Sequence, residues 1–518
     1  MPAGSYSDAG TWSADRVLDA DVCVVGSGAG GAVAACLLQQ AGLRVLVVEE
    51  GGHFTRKDFD AREDHAYPNL YQEAGGRATR DGGIAILQGK AVGGTTVVNW
   101  TTSFRTPDDV VEHWQKHHQA GALTQARLAP HFAEVERRLG IEEILLGVAN
   151  RNNRLLYDGL RAIGVSAEVT RRNVRGCRQS GYCGMGCPYD AKQSMLVTYL
   201  PDAVAAGAEV ISRLRVERLV VAGGRVTSAE GVRLGDNGRE RVGRATVKAK
   251  WFVCAGGAVN SPALLLRSGL GGGGPGAAML GRRTFLHPVV AVAGVYKEPV
   301  AGFYGAPQSV ASRHFSNRGD KIGVFLEAAP VHPMLRALAT SGFGAAHAEV
   351  MKDTANTTAH IGLTIDGFHP SETGGTVTLR ESGAPVLDYV LPERVWEGLR
   401  FITRTLCQAN LAVGATHVAT AHDPAVVLRS VADLPALDRA PYSPLRMGVF
   451  SAHVMGGCAM SDDPARGVVR SADLRHHAVA NLHVIDGSVL PTSLGVNPQL
   501  TIYGLAHLHA SELARTWK

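Results

Sequence analysis

The chain has 518 residues, of which 45% are hydrophobic and 19% charged, an ordinary globular composition that excludes a disordered or low-complexity protein. Its 52 Lys and Arg against 47 Asp and Glu leave a formal charge of +5, and no basic block or stripe accompanies it, which speaks against nucleic acid as a partner. The length exceeds one compact unit, so two domains are expected.

Met1 to Ala20 hold no apolar stretch and no twin arginine, which predicts no secretory signal. The longest apolar runs, such as Pro288–Val295, are too short to span a bilayer. A soluble, cytoplasmic protein is expected, with peripheral contact to a membrane left open. In a reducing compartment the eight cysteines are read as buried, catalytic or metal-binding rather than disulfide-bonded.

Asp21–Val25 is a short apolar run suited to a buried parallel strand, followed at once by Gly26-Ser27-Gly28-Ala29-Gly30-Gly31 and a stretch of helical composition, Ala32–Ala41. A second apolar run, Val45–Val48, ends at Glu49. This is G-x-G-x-x-G in its strand–turn–helix setting. Gly26, Gly28 and Gly31 permit a tight turn, close approach of a pyrophosphate and close helix–strand packing, with Ser27 inside the turn. The helix N-terminus offers free N–H groups to phosphates, and Glu49 stands where a carboxylate binds the adenosine ribose. The motif alone does not separate NAD from FAD.

Gly89–Asn99 is a second glycine-rich segment; Gly93 and Gly94 allow backbone to approach a ring or phosphate, and Thr95 and Asn99 add polar contacts. On its own it reads equally as a plain loop. The region 107–190 is polar, helical and then Cys-rich. Cys177, Cys183 and Cys187 follow the spacing C-x5-C-x3-C among glycines, with Pro188 trailing. That spacing suits thiolates around a compact inorganic centre, or else a glycine-rich loop with packed cysteines.

Residues 195–285 return to an α/β pattern, with Gly271–Gly276 as a loop. Residues 287–440 carry alternating stretches, such as Thr376–Leu379, that predict antiparallel strands. Here Glu327 lies in Phe325–Pro330, where an apolar pocket would raise its pKa or a strand end would expose it. His287, in Leu286-His287-Pro288, is read as structural.

Near the end, His453 precedes Gly456 and Gly457; an imidazole titrates near neutrality and the glycines allow packing against a cofactor. Asn481–Asp486 reads as a strand ending in an acid, followed by Gly487. Asn497-Pro498-Gln499 reads as a helix start, with Asn497 as N-cap and Pro498 at the first helical position.

Together these segments resemble the glucose–methanol–choline (GMC) oxidoreductase family over the whole chain. Trp251–Pro262, with Gly256, Gly257 and Ser261, resembles its second signature, and Val216 falls where a residue flanks the adenine. The final stretch is most similar to cholesterol oxidases and long-chain alcohol oxidases. The resemblance implies FAD as cofactor and an α/β Rossmann-like FAD-binding domain beside a substrate domain with an antiparallel sheet and helices. The expected division is 1–106, 195–285 and 445–518 for FAD, and 107–194 with the Cys-rich loop plus 286–444 for substrate.

The resemblance also implies oxidation of an apolar alcohol, long-chain, aryl or sterol-like, to an aldehyde or ketone by hydride transfer to flavin N5. His453 matches the family's active-site histidine and is expected to act as base. Asn497 matches its second active-site position, and Glu327 the acidic residue of cholesterol oxidases. Asp486, Gly487 and Gln499 are expected at the flavin. The cysteine segment resembles that of FAD-dependent glucose dehydrogenase catalytic subunits, which implies a three-iron, four-sulfide cluster and an external electron acceptor; without it, O2 is the expected acceptor. A hydroxynitrile-lyase-like reaction, an NAD-dependent dehydrogenase and a non-catalytic flavin-binding protein are the alternatives.

Overall fold

The apolar runs flanking the first glycine-rich turn form the middle of an eight-stranded sheet. The computed structural model describes residues 4–517; residues 1–3 and 518, the tips of the first and last expected segments, lie outside the described residues. Arg16–Val25 pairs in parallel with Val45–Val48 on one side and Arg241–Cys254 on the other. Val45–Val48 is buried along its length, as a parallel strand covered on both faces requires. Glu209–Ser212 and Ser5–Asp8 extend the parallel edge. Leu482–Val484 adds in parallel to the end of Arg241–Cys254, and Arg225–Leu234 with Leu214–Ala222 continues the sheet antiparallel. Helix Ala29–Gln40 packs between this sheet and the long helix Gln499–Thr516.

The second sheet has nine strands. Val289–Val295, His360–Ile365 and Gly323–Ala328 are its antiparallel centre, backed by helix Glu393–Ala412. Thr376–Leu379 does form an antiparallel pair, but with Pro385–Asp388 in a separate two-stranded ribbon. Two short strands cross the expected domain boundaries: Ile84–Ile86 and Val449–Ser451 pair with each other inside this second sheet. The fold is thus a Rossmann-like α/β half joined to a mixed half built on a mainly antiparallel sheet. Among the described residues no helix is long and apolar enough to cross a membrane.

This interleaving positions the site. Gly323–Ala328 carries Glu327, and the chain leaving Val449–Ser451 reaches His453 two residues later. The loop entering helix Gln499–Thr516 brings Asn497 from the Rossmann side.

Candidate active site

A cavity of about 760 Å³ runs between the two halves, within the size range of cofactor and ligand pockets. At one end its wall is the first glycine turn, with Gly26, Gly28 and Glu49, joined by Val216. Gly26 holds a left-handed φ of 101°, and a Cβ there would lie 2.3 Å from the Ala255 carbonyl oxygen. The second glycine segment comes against the first so closely that a Cβ on Gly94 would sit 2.7 Å from Gly28 Cα. Helix Ala29–Gln40 begins at Gly28 without a side-chain cap, so its first N–H groups open toward the cavity, a setting that favours phosphate oxygens.

Polar contacts lock these loops. Glu49 accepts from Ser27 N–H (3.0 Å), Ser27 Oγ (2.7 Å) and Gly51 N–H (2.9 Å). Burial raises its pKa and these bonds oppose the shift. Ser27, Gly31 and Gly93 do not line the cavity; they shape it from behind, Gly93 N–H donating to Ser27 Oγ at 2.9 Å.

Thr95, Asn99, Asp486, Gly487 and Gln499 line the cavity further along. Asp486 accepts from Gly257 N–H (2.8 Å) and Ser261 Oγ (2.5 Å), tying the second signature segment to the C-terminal region. Gln499 Oε1 accepts from Asn99 Nδ2 at 2.6 Å. Asn99 Oδ1 and Asn497 Oδ1 are buried without a hydrogen-bond partner although both residues face the cavity. Buried acceptors of this kind are costly unless a ligand satisfies them. An uncapped helix start, two tightly apposed glycine turns and orphaned amide oxygens together fit FAD.

At the opposite end the three expected chemical residues meet. Asn497 Nδ2 lies 3.3 Å from His453 Nε2 and donates to Glu327 Oε2 at 3.4 Å. Asn497 makes no capping bond; the helix starts at Gln499 and the amide turns into the site instead, which corrects the N-cap expectation. Desolvation pushes the His453 pKa down to about 4. Glu327 is wholly buried, and desolvation pushes its pKa up to about 8 against the Asn497 hydrogen bond. It stands behind the cavity wall rather than in it.

Two residues at this end went unrecognised in the sequence. Gln308 lines the cavity, donates to Glu327 Oε2 at 2.7 Å and accepts from Thr102 Oγ1 at 2.8 Å. His287, read as structural, has its Nδ1 3.2 Å from His453 Nδ1, and its Nε2 accepts from Leu494 N–H (3.2 Å) and Gly495 N–H (2.9 Å). His287 also holds φ at 45°, a left-handed setting that costs a non-glycine residue about 1–3 kcal/mol. A histidine before a proline carries no local mark of such a role. Between these polar groups Val289, Ile361, Leu363 and Phe450 present an apolar wall.

The cysteine segment does not bear out the cluster expectation. All eight cysteines are free. Cys177, Cys183 and Cys187 border a cleft of only about 20 Å³, and among the described residues no group of three or more His, Cys, Asp or Glu converges as a metal centre requires. Two buried cations stand beside the cleft. Lys192 Nζ donates to the Cys183 carbonyl at 2.7 Å, and Arg172 Nη2 approaches Cys183 Sγ at 3.6 Å. Burial pushes the Lys192 pKa down to about 8. The residues present do not fit the cluster.

A Rossmann-like sheet, a cavity shaped for a flavin dinucleotide and a histidine–asparagine pair at its far end define the class: an FAD-dependent oxidoreductase. Two GMC oxidoreductase models match residues 67–289 and 371–506, and an NAD(P)-binding Rossmann-like domain model matches residues 24–69. An uncharacterized GMC-type oxidoreductase of Mycobacterium tuberculosis is 34% identical over 498 residues, covering 95% of this chain and 75% of its own. The long-chain-alcohol oxidase FAO1 of Arabidopsis thaliana is 28% identical over 527 residues, covering 97% and 67%. Among solved structures, pyridoxine 4-oxidase from Mesorbium loti superposes with a TM-score of 0.67 at 19% identity over 95% of this chain and 98% of that one, a likeness of fold. The chain belongs to the GMC oxidoreductase family.

Proposed function

We propose that the protein oxidises an apolar alcohol to an aldehyde or ketone. The observation that carries this is the His453–Asn497 pair on a cavity wall to which Val289, Ile361, Leu363 and Phe450 contribute an apolar face. A hydroxyl would sit against the pair while its hydrocarbon lies along the apolar strands, where each buried CH2 contributes about 0.8 kcal/mol. FAD bound in the cavity supplies hydride acceptance at N5. Gly26, Gly28, Gly94 and Thr95 would face its phosphates, Glu49 and Val216 its adenosine, and Asn99, Asp486, Gly487 and Gln499 its ring end. Glu327 accepts from Asn497 from behind the wall and also accepts from Gln308. Long-chain, aryl and sterol-like alcohols share the required chemistry, and the resemblance to a long-chain-alcohol oxidase supports the first. O2 or an external acceptor would complete turnover.

The division into cofactor segments 1–106, 195–285 and 445–518 and substrate segments 107–194 and 286–444 belongs to the same proposal, with strands Ile84–Ile86 and Val449–Ser451 lent to the second sheet. An anaerobic absorption spectrum of the purified protein, taken before and after a panel of apolar alcohols, tests the reading. Bleaching of the flavin bands by one of them is expected, and it also separates oxidation from a lyase reaction, which leaves those bands in place. A protein that holds no FAD after reconstitution would overturn it.

A further inference from the structure

We propose that Cys183 is a peroxide-reactive thiol, oxidised by hydrogen peroxide to a sulfenic acid in the cleft it shares with Cys177 and Cys187. These three residues are half-buried, whereas the other five cysteines are fully buried. Access to the cleft alone does not single one of them out. The cations behind Cys183 do.

Arg172 is only 1% exposed and Lys192 only 3%. Lys192 directs its three donors at carbonyl oxygens, those of Val97, Asn99 (3.1 Å) and Cys183 (2.7 Å). The groups whose charge reaches its ammonium are Arg172, Cys183 and Cys187, with no carboxylate among them. Arg172 donates from Nη2 to the Trp100 carbonyl at 3.1 Å, and the same nitrogen approaches Cys183 Sγ at 3.6 Å. Its Nε and Nη1 are buried without a partner. A guanidinium is always charged, and buried charges are ordinarily paired. Two adjacent buried cations with unfilled donors call for an anion, and the Cys183 sulfur is in contact with one of them. Arg178 also lines the cleft, but it is exposed and its guanidinium lies over the Tyr189 ring, 5.0 Å from the centroid.

Positive charge beside a sulfur favours the thiolate, which is the nucleophile. The cleft, of about 20 Å³, has room for about one water-sized molecule. Hydrogen peroxide is of that size, and glutathione and other bulky disulfides are not. The thiolate attacks one peroxide oxygen, and the O–O bond breaks as the S–O bond forms. Sulfur gives up two electrons and the peroxide takes them. The second oxygen leaves as hydroxide and becomes water with the proton that the thiol released. The idle Arg172 N–H groups are then at hand as donors for the sulfenic oxygen.

The test uses the FAD-loaded enzyme, treated with hydrogen peroxide in the absence of alcohol. It is then unfolded in urea containing dimedone and mapped by tryptic mass spectrometry. Three variants that each keep one of Cys177, Cys183 and Cys187, the other two replaced by serine, give the three rates separately. Cys183 is expected to form its dimedone adduct about tenfold or more faster than either neighbour. In wild type it is recovered as the adduct or as the disulfide that a sulfenic acid forms with a nearby thiol. Arg172→Met removes the charge at similar side-chain length and is expected to slow the reaction of Cys183 by about tenfold or more, with the rates of Cys177 and Cys187 unchanged. Equal or faster reaction of Cys177 or Cys187 would overturn the assignment, as would a Cys183 left intact while methionines become sulfoxides. So would iron with acid-labile sulfide in the purified holoenzyme, because the three sulfurs would then be ligands. Should Arg172→Met not fold, the three single-cysteine rates decide.

Discussion

Ser27 Oγ donates to Glu49 Oε2 at 2.7 Å and in the same position receives the Gly93 N–H at 2.9 Å, so one hydroxyl holds the two glycine turns of the cofactor cavity together. Ser27→Ala leaves the Gly93 N–H buried without an acceptor, a cost of about 1–3 kcal/mol. The expected outcome is an FAD dissociation constant raised about tenfold or more, measured by flavin fluorescence titration of the apoprotein. An unchanged constant would show that the turns hold their spacing without the clamp.

Asn497 turns its amide toward His453, where the alcohol oxygen is proposed to sit. Asn497→Ala removes the amide 3.3 Å from His453 Nε2 and leaves the rest of the cavity intact. Loss of one such donor lowers a rate on the order of 10²–10³-fold. Stopped-flow flavin reduction should show that loss with FAD still bound; a rate within a few-fold of wild type would remove Asn497 from the chemistry.

Glu327 makes stability fall with rising pH. Its folded pKa is about 8 against 4.5 in the unfolded chain. The contribution of the protonated form is therefore fully present below about 4.5 and is lost as pH rises through about 8. Glu327→Gln keeps the shape and removes the titration. Urea unfolding should find the variant gaining on wild type between about pH 5 and pH 8, by up to a few kcal/mol. Parallel curves would mean that the carboxyl is not desolvated as described.

The buried histidines act in the opposite direction. The pKa values of His360 and His453 are depressed to about 4, and that of His287 lies well below 6.5. All three stay neutral in the fold while the unfolded chain takes up protons below 6.5. Their share of stability is present above that value and is lost as pH falls toward about 4, at about 1.4 kcal/mol per pH unit for each group. In Glu327→Gln, where the opposing carboxyl is gone, urea midpoints should drop more steeply between about pH 6.5 and 4.5 than in wild type; a flat profile of that variant in this window would contradict the neutral state of these histidines.

The Rossmann end was readable because its signals are local: Gly26, Gly28 and Gly31 lie within one turn and the flanking apolar runs declare the strands. The far end was not. His287 and His453 are 166 residues apart, and Gln308 meets Glu327 only because an antiparallel sheet aligns their segments. Asn497 before Pro498 carries a strong capping signal, yet tertiary contacts to Glu327 and His453 claim its side chain. The cysteine spacing suggested a metal centre, but spacing does not report whether ligands converge in the fold, and among the described residues no group of three or more His, Cys, Asp or Glu does.

The first sheet draws strands from residues 5–25, 45–48, 209–254 and 482–484. On the ribosome this means that the dinucleotide turn emerges long before the wall that closes over it. Asp486, Asn497 and Gln499 arrive only after the second sheet has been synthesised, so the cavity wall is completed late in the growth of the nascent chain. A chain stalled before residue 482 would expose the free edge of Phe252–Cys254, an unpaired strand edge prone to wrong pairing.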